Sequence, residues 1–331
     1  MPVYNGGSVI NDTLKSILMQ SFTNYEIIIV DDCSKDNTVQ VIKKIKDKRI
    51  KLYQNKKNLG YSGNLEKCRK KAKGDIIFLM GQDDILAKDA LLNTYQAFAR
   101  SEKIGAVTRP YYWFDERVDK PVRIKEQLNP KKDGILSIEG DKQKSLLMFH
   151  TLDQLSALAY RRKYMDVPFH PDIFPSHVYP FASIFKKYLV VFLKDYNLAV
   201  RIGTSQARSS PIYGRKTSYI YNKSPIQSWV DMFNNVYREK KYHQFRDWMI
   251  KNFVAVNYVG LVQIRNYAQY RHLLREIWLL LKYRWENIFS FQFWFFSLGC
   301  MLMPAFLLIP LVDWYKNNFL SKKFAKIKIK R

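Results

Sequence analysis

Near its start the chain twice runs a short, unbroken apolar stretch up to a pair of aspartates. Residues 26–30 lead into Asp31-Asp32, and residues 75–80 lead through Gly81-Gln82 into Asp83-Asp84. A strand that is apolar at consecutive positions must be buried on both faces, as in a parallel sheet covered by helices. The sequence in between supplies those helices. Residues 11–20 put Leu14, Ile17 and Leu18 on one face, and Asp36-Asn37 can cap a helix carrying Val39, Ile42 and Ile45. Residues 63–72 turn Leu65, Cys68 and Ala72 inward, and residues 88–101 do the same with Leu91, Leu92, Tyr95 and Phe98. With further strands at 50–53 and 106–109, the pattern predicts an α/β fold. It is a Rossmann-like, mostly parallel sheet with helices on both faces.

Beyond this core the signals change. Charges, Pro121, Pro130 and Gly134 predict loops over 111–140, and the three prolines of 170–180 predict a shaped loop rather than a helix. Strand character returns over 188–202. The composition shifts near Tyr219, so a boundary is expected between an α/β region, 1–218, and a helical, basic region, 219–331. Within the latter, residues 288–312 carry no charge and seven aromatics. A bilayer-spanning helix needs about 20 apolar residues, so the segment is long enough to span. Pro304 and Pro310 would kink or end it, which leaves a Pro-bent re-entrant hairpin as the equal alternative. After Asp313 the tail has no acid and seven basic residues.

The net charge of +26 calls for a polyanionic partner: nucleic acid, anionic lipid or a phosphate-bearing substrate. Zinc-finger, helix-turn-helix and RNP patterns are missing, so a basic nucleic-acid-binding protein is the weaker reading and no nucleic acid is expected as partner. Cys33, Cys68 and Cys300 are far apart and odd in number, against a disulfide framework and for a reducing compartment. The start, Met1-Pro2-Val3-Tyr4-Asn5, carries no secretory signal pattern.

Two carboxylates at the carboxyl end of a buried strand sit where open α/β sheets bind ligands. Asp31-Asp32 can accept hydrogen bonds from a base or ribose, or simply form a turn and helix cap. Asp83-Asp84 suits an oxygen-seeking cation held together with substrate phosphates, or a solvated turn. Both pairs are expected at one sheet edge.

The string Pro2-Val3-Tyr4-Asn5, residues 26–34, Asn58-Leu59-Gly60, Asn64, Gly74-Asp75 and Asp83-Asp84 resembles the family 2 glycosyltransferases in order and spacing, over residues 1–109. The resemblance implies a GT-A-type fold, a nucleotide-diphosphate sugar donor and a divalent metal, Mg²⁺ or Mn²⁺. It implies Pro2 and Tyr4 beside the base, Asp31 or Asp32 on base or ribose, Asp83 near sugar or ribose, and Asp84 as metal ligand. Residues 1–218 would then be the catalytic domain. Transfer would run to a hydroxyl of a glycan or lipid-linked acceptor, inverting and metal-dependent, in cell-surface polysaccharide synthesis.

The sequence departs from the family pattern in three places. The apolar residues that usually precede Pro-Val-Tyr are missing, so the first strand should be short. Gly81 stands where the family often has a further Asp. The usual acidic pair that provides the catalytic base is absent, and His177 or Asp172 takes its place as candidate. These departures also keep open a catalytically degenerate scaffold. Downstream, Arg201 or Arg208 could clamp a diphosphate bidentately. The aromatic and basic C-terminal region suggests attachment to an anionic membrane surface, with the catalytic domain at its cytoplasmic face.

Overall fold

The computed structural model describes residues 1–172, 174–203 and 223–315. They fall into two compact units, one ending at Ile202 and one beginning at Gly203. The boundary expected at Tyr219 lies outside the described residues.

Over its described residues the first unit contains twelve strands: β1 (Pro2–Val3), β2 (Ile27–Asp31), β3 (Ile50–Gln54), β4 (Ile76–Phe78), β5 (Ile85–Leu86), β6 (Ile104–Thr108), β7 (Tyr112–Phe114), β8 (Pro121–Ile124), β9 (Gly134–Leu136), β10 (Ala159–Arg161), β11 (Leu189–Phe192) and β12 (Leu198–Arg201). Its helices are α1 (Ile10–Leu18), α2 (Thr38–Lys44), α3 (Gly60–Lys71), α4 (Ala90–Ala99), α5 (Lys142–His150) and α6 (Val178–Phe185).

β2 shows why its apolar run is continuous. Ile27 and Ile29 pack with Ile10, Leu14, Ile17 and Ile42 of α1 and α2, while Ile28 and Val30 pack with Cys68 of α3. The strand is buried on both faces, with helices on each. β1 is two residues long and pairs in parallel with β2, Val3 opposite Asp31.

The expected mostly parallel sheet forms in part: β1-β2-β3 is parallel throughout, and antiparallel pairs enter the rest. Hydrogen bonding divides the strands into three sheets, ordered β1-β2-β3, β4-β10-β6-β11-β9 and β5-β12-β7-β8. Of the nine pairings among the described residues, four are parallel and five antiparallel, so the fold is mixed α/β. The antiparallel pairings come from short strands in regions of weak pattern. Residues 111–140, expected as loops, contribute β7, β8 and β9. Pro121 opens β8, which among the described residues pairs only with β7, an edge position where a missing N–H is tolerated. The loop expected through Pro180 ends at His177, and Pro180 lies in the first turn of α6, where no intrahelical N–H is needed.

The second unit is helical over its described residues: α7 (Pro225–Val236), α8 (His243–Met249), α9 (Gly260–Tyr267), α10 (Tyr270–Tyr283), α11 (Phe291–Leu302) and α12 (Ala305–Tyr315). Glu276 of α10 is buried and receives the Ser224 hydroxyl at 2.8 Å and the Ile226 N–H at 3.2 Å, which ties it to the first turn of α7. The apolar run 288–312 does not form one long helix. It breaks at Met303, which is extended because Pro304 disfavours helical backbone before it. Among the described residues no helix is long and apolar enough to cross a membrane.

Candidate active site

Both aspartates closing β2 are buried, and each is held by a different device. The Asp31 carboxylate folds back on its own turn and accepts from the Ser34 N–H at 3.2 Å and from the Ser34 hydroxyl. Cys33, at φ 65°, allows that turn. Asp32 Oδ1 accepts from Asn55 Nδ2 at 2.7 Å and from the Leu59 N–H at 2.8 Å. Asn55 is fixed in turn by the Lys67 ammonium at 2.5 Å and by Asn64, whose own amide donates to the Val30 carbonyl. A carboxylate buried without such donors would cost several kcal/mol, roughly, so these amides are what permit Asp32 to sit there.

The first loop interlocks with this turn. The Asn5 N–H donates to Ser34 Oγ, the Lys35 N–H to Asn5 Oδ1, and the Gly6 N–H to Thr38 Oγ1. Through β1, Pro2 lies opposite Val30 and Val3 opposite Asp31, and the Asp32 N–H donates to the Val3 carbonyl at 2.8 Å, so Pro2 and Tyr4 flank the residue paired with Asp31.

The second acidic pair follows β4, which belongs to a different sheet from β2, so a shared sheet edge does not account for their proximity. Gln82 makes the connection. Its side-chain amide receives the Tyr4 N–H at 2.8 Å and donates to the Tyr4 carbonyl at 3.0 Å, copying one rung of a strand pair. Its backbone carbonyl accepts from Thr13 of α1. A Cβ at Gly6 would meet the Gln82 amide at 2.6 Å, so glycine there permits the close approach.

Asp84 is buried, with both carboxylate oxygens engaged. Oδ1 accepts from the Arg201 N–H at 3.0 Å, and Oδ2 accepts from Gln154 Nε2 at 2.6 Å and from the Ser156 hydroxyl. Burial, reinforced by the charge of Asp83, pushes the Asp84 carboxyl well above the usual carboxylate range, against the pull of Ser156 and Arg201. Arg201 also donates from Nε to the Asp83 carbonyl and stacks over Phe114 at 4.7 Å. Arg201 thus grips the acidic turn itself. Arg208 lies outside the described residues.

Gly81 lies against this cluster. A Cβ there would sit 3.1 Å from Asp83 Oδ1 and Ser156 Oγ and 3.2 Å from Asp84 Oδ2. The missing side chain leaves space where two carboxylates and a hydroxyl converge. Among the described residues no three His, Cys, Asp or Glu side chains group closely enough to hold a metal. A cation here would take one or two protein carboxylates and find its other ligands in phosphate and water, which is how Mg²⁺ is commonly held.

The loop before α6 carries the two candidates for a base. Asp172 is half-buried, with Oδ2 3.8 Å from His170 Nδ1, and its backbone carbonyl accepts from Ser62 of α3 at 3.4 Å. His177 is buried. Its Nε2 is 2.8 Å from the Leu152 carbonyl, which fixes that nitrogen as the donor, and its Nδ1 is 3.4 Å from the Tyr61 hydroxyl. Burial holds the imidazole down at about 4, opposed by the Leu152 carbonyl and the charge of Asp153. The segment 152–156 therefore serves both places: Leu152 fixes His177, and Gln154 and Ser156 fix Asp84. Sequence reasoning had no signal for Gln154, Ser156, Gln82 or Asn55, all of common residue types far along the chain from their partners.

The depressed His177 pKa has a consequence for stability. The unfolded chain takes up this proton near pH 6.5 and the folded protein only near 4. His177 thus contributes stability that is complete above pH 6.5 and lost as pH falls toward 4, about 3 kcal/mol for a difference of this size. His177→Gln keeps a donor for Leu152 but cannot titrate. In urea unfolding from pH 7.5 to 4, the wild type is expected to lose more stability than the variant by about that amount. Parallel curves would rule this assignment out.

A model of glycosyl transferase family 2 matches residues 1–168, which include β1, both acidic pairs, Gln154 and Ser156. The chain belongs to that family. Among related proteins, an uncharacterized glycosyltransferase of Haemophilus influenzae is 40% identical over 93 residues, 28% of this chain and 37% of that protein. The poly-beta-1,6-N-acetyl-D-glucosamine synthase of Staphylococcus aureus is 34% identical over 106 residues, 32% of this chain and 26% of that protein. The matches thus span well under half the length of these relatives. Among solved structures, S. aureus TarS 1-349 in complex with UDP-GlcNAc aligns with a TM-score of 0.62 at 15% identity, over 95% of this chain and 90% of that one. Mannosyltransferase PcManGT from Pyrobaculum calidifontis, in complex with GDP-Man and Mn²⁺, aligns with a TM-score of 0.53 at 15% identity, over 91% and 85%. At such identities these two likenesses establish the fold. The family 2 assignment rests on the first 168 residues, which build the acidic network apart from Arg201.

Proposed function

We propose that this family 2 protein transfers a sugar from a nucleotide-diphosphate donor to a hydroxyl of a glycan or lipid-linked acceptor, with inversion, in the making of a cell-surface polysaccharide. The observation that carries the reading is the single network joining β1, Asp31-Asp32 and Asp83-Asp84 through Gln82. Its family membership and the nucleotide-sugar complexes of TarS and PcManGT support it.

In this reading Pro2, Tyr4, Asp31 and Asp32 border the nucleoside, with Asp32 held ready by Asn55 and Leu59. Asp83 lies toward the ribose or sugar. Asp84, with Asp83, would hold a divalent cation, which supplies charge neutralisation for the departing diphosphate. The acceptor oxygen bonds to the anomeric carbon, the bond from that carbon to the diphosphate oxygen breaks, and the hydroxyl proton passes to a base. Asp172 suits that task better than His177, whose Nε2 is committed to a backbone carbonyl and whose basicity burial has lowered. Arg201 and Gln154 hold the acidic turn in place and thus act through it. The exposed aromatic helices of the second unit and the basic tail favour work at the cytoplasmic face of a membrane.

A thermal-shift panel of nucleotide sugars, with and without Mn²⁺, tests the donor reading. A donor at a hundredfold its dissociation constant should stabilise by about 2.7 kcal/mol, raising the midpoint by several degrees, and the increment should depend on Mn²⁺. If no nucleotide shifts the midpoint under either condition, the reading fails.

A further inference from the structure

The second unit presents large apolar side chains to solvent in stripes that follow the helical period. On α11, Phe291, Phe295, Leu298 and Leu302 recur at helical spacing, and Phe291 and Leu302 are 82% and 79% exposed. They line one open groove of about 550 Å³ together with Trp294 and Met303. On α12, Leu307, Leu311 and Trp314 repeat the pattern, as do Tyr270, Leu274 and Trp278 on α10. Scattered exposed apolar residues are ordinary, but periodic stripes on three helices of one unit are not.

Three observations say what covers this face. First, α11 and α12 have 12 and 11 residues, so each is about 16–18 Å long, little more than half the thickness of a bilayer core. They can lie in an interface but not cross it. Second, the Trp294 indole N–H is already spent, donating to the Ile288 carbonyl at 2.7 Å, so its ring can enter an apolar phase without stranding a donor. Third, the charge around these helices is mainly basic, with Glu286 paired to Lys251 and Asp313 the one acid in the sequence of α12. Residues 260–284 hold five basic side chains and one acid, Glu276, which is buried and tied to Ser224. The Lys282 ammonium sits 5.0 Å over the Trp278 ring, a cation held at the level of the exposed aromatics. In sequence, the seven basic residues after Asp313 add to the excess.

We propose that α11, with the stripes of α10 and α12, is a monotopic docking surface for an anionic bilayer, inserting its aromatics at the boundary of headgroups and acyl chains without spanning. This deepens the membrane placement above but is independent of the donor reading.

The test uses the full chain with vesicles of phosphatidylglycerol and phosphatidylcholine, and with phosphatidylcholine alone. The wild type should co-sediment with the anionic vesicles, and acyl chains brominated near the headgroup should quench its tryptophan fluorescence. The variant Phe291→Ser/Phe295→Ser/Leu302→Ser, altered at side chains outside the packed core, should keep its melting midpoint and its donor-induced shift. Its partitioning should fall by about 100-fold. Unchanged partitioning of the variant, or wild-type binding without quenching, overturns the proposal. So does a wild-type dimer that the variant turns into a monomer while vesicle binding stays the same, because the face would then belong to a second copy of the chain. Should the variant fail to fold, quenching of the wild type still decides the matter. Loss of donor shift alone would count against the transferase reading and leave this one standing.

Discussion

Asp84→Asn is expected to lower sugar transfer by roughly several hundredfold while the protein stays folded. The size of the effect follows from what the carboxylate supplies. If Asp84 holds the cation that neutralises a departing diphosphate, the charge it contributes is needed most in the transition state, and loss of one such electrostatic element typically costs about 3–4 kcal/mol. The asparagine has nearly the same shape and can still accept the Arg201 N–H through one oxygen. Facing Gln154 Nε2, its own amide brings donor against donor, so a further loss of about 1–2 kcal/mol in stability is expected. Activity and melting midpoint measured on one preparation separate the two. The Mn²⁺-dependent part of the donor-induced thermal shift should vanish, while whatever stabilisation the nucleoside gives through the Asp31-Asp32 side should remain. Asp83→Asn, at a half-buried position, should be milder. Transfer by Asp84→Asn within tenfold of the wild type would sink the assignment of Asp84 to a cation and leave it as a structural carboxylate bonded to Ser156, Gln154 and Arg201.

How much of this was legible in the sequence depended on how far each signal reached along the chain. β2 and α1 declare themselves because their apolar residues are close together and obey one period. The acidic pairs were visible because each follows an apolar run. What supports them was not, since Gln154 and Ser156 lie about 70 residues beyond Asp84 and only the closing of the chain brings them there. Gln82 stood inside a recognised motif, but its bond to Tyr4 depends on two sheets meeting, and no periodicity encodes that. The strands over 111–140 are three or four residues long, too short for alternation to register. In the apolar run 288–312, composition left spanning and bending open. The break at Met303 followed from Pro304, whereas Pro310 ends nothing and lies within α12.

Arg109 illustrates the same point and leads to the largest expected stability effect. Nothing near it in sequence marks it as buried, yet it is 2% exposed. Its guanidinium donates to the Ala90 carbonyl at 3.2 Å, to Asn197 Oδ1 at 2.8 Å and to the Thr94 hydroxyl, and lies 5.3 Å over the Phe78 ring. Burial pulls it down to about 9, which still leaves it charged at neutral pH. It follows β6 directly and joins α4 to Asn197, the residue before β12, whose last member is Arg201. Arg109→Ala would leave a cavity and take the guanidinium donor from Asn197 Oδ1 and the Thr94 hydroxyl, while the Ala90 carbonyl keeps the Thr94 hydroxyl at 2.7 Å, at a cost of about 3–5 kcal/mol. For a unit of this size that lowers the melting midpoint by about 10 °C. Arg109→Met refills most of the volume and removes the buried charge, so it should recover part of that loss even though Asn197 Oδ1 loses the guanidinium donor. Donor binding measured well below the midpoint should be reduced by no more than a few fold in either variant, since Arg109 touches the acidic turn only indirectly, through β12 and through Phe78 of β4. A midpoint for Arg109→Ala within about 2 °C of the wild type would mean that the cluster is not a joint of the fold. A donor-binding loss as large as that of Asp84→Asn would mean that the start of β12 governs Arg201, and through it Asp84, more tightly than these contacts imply.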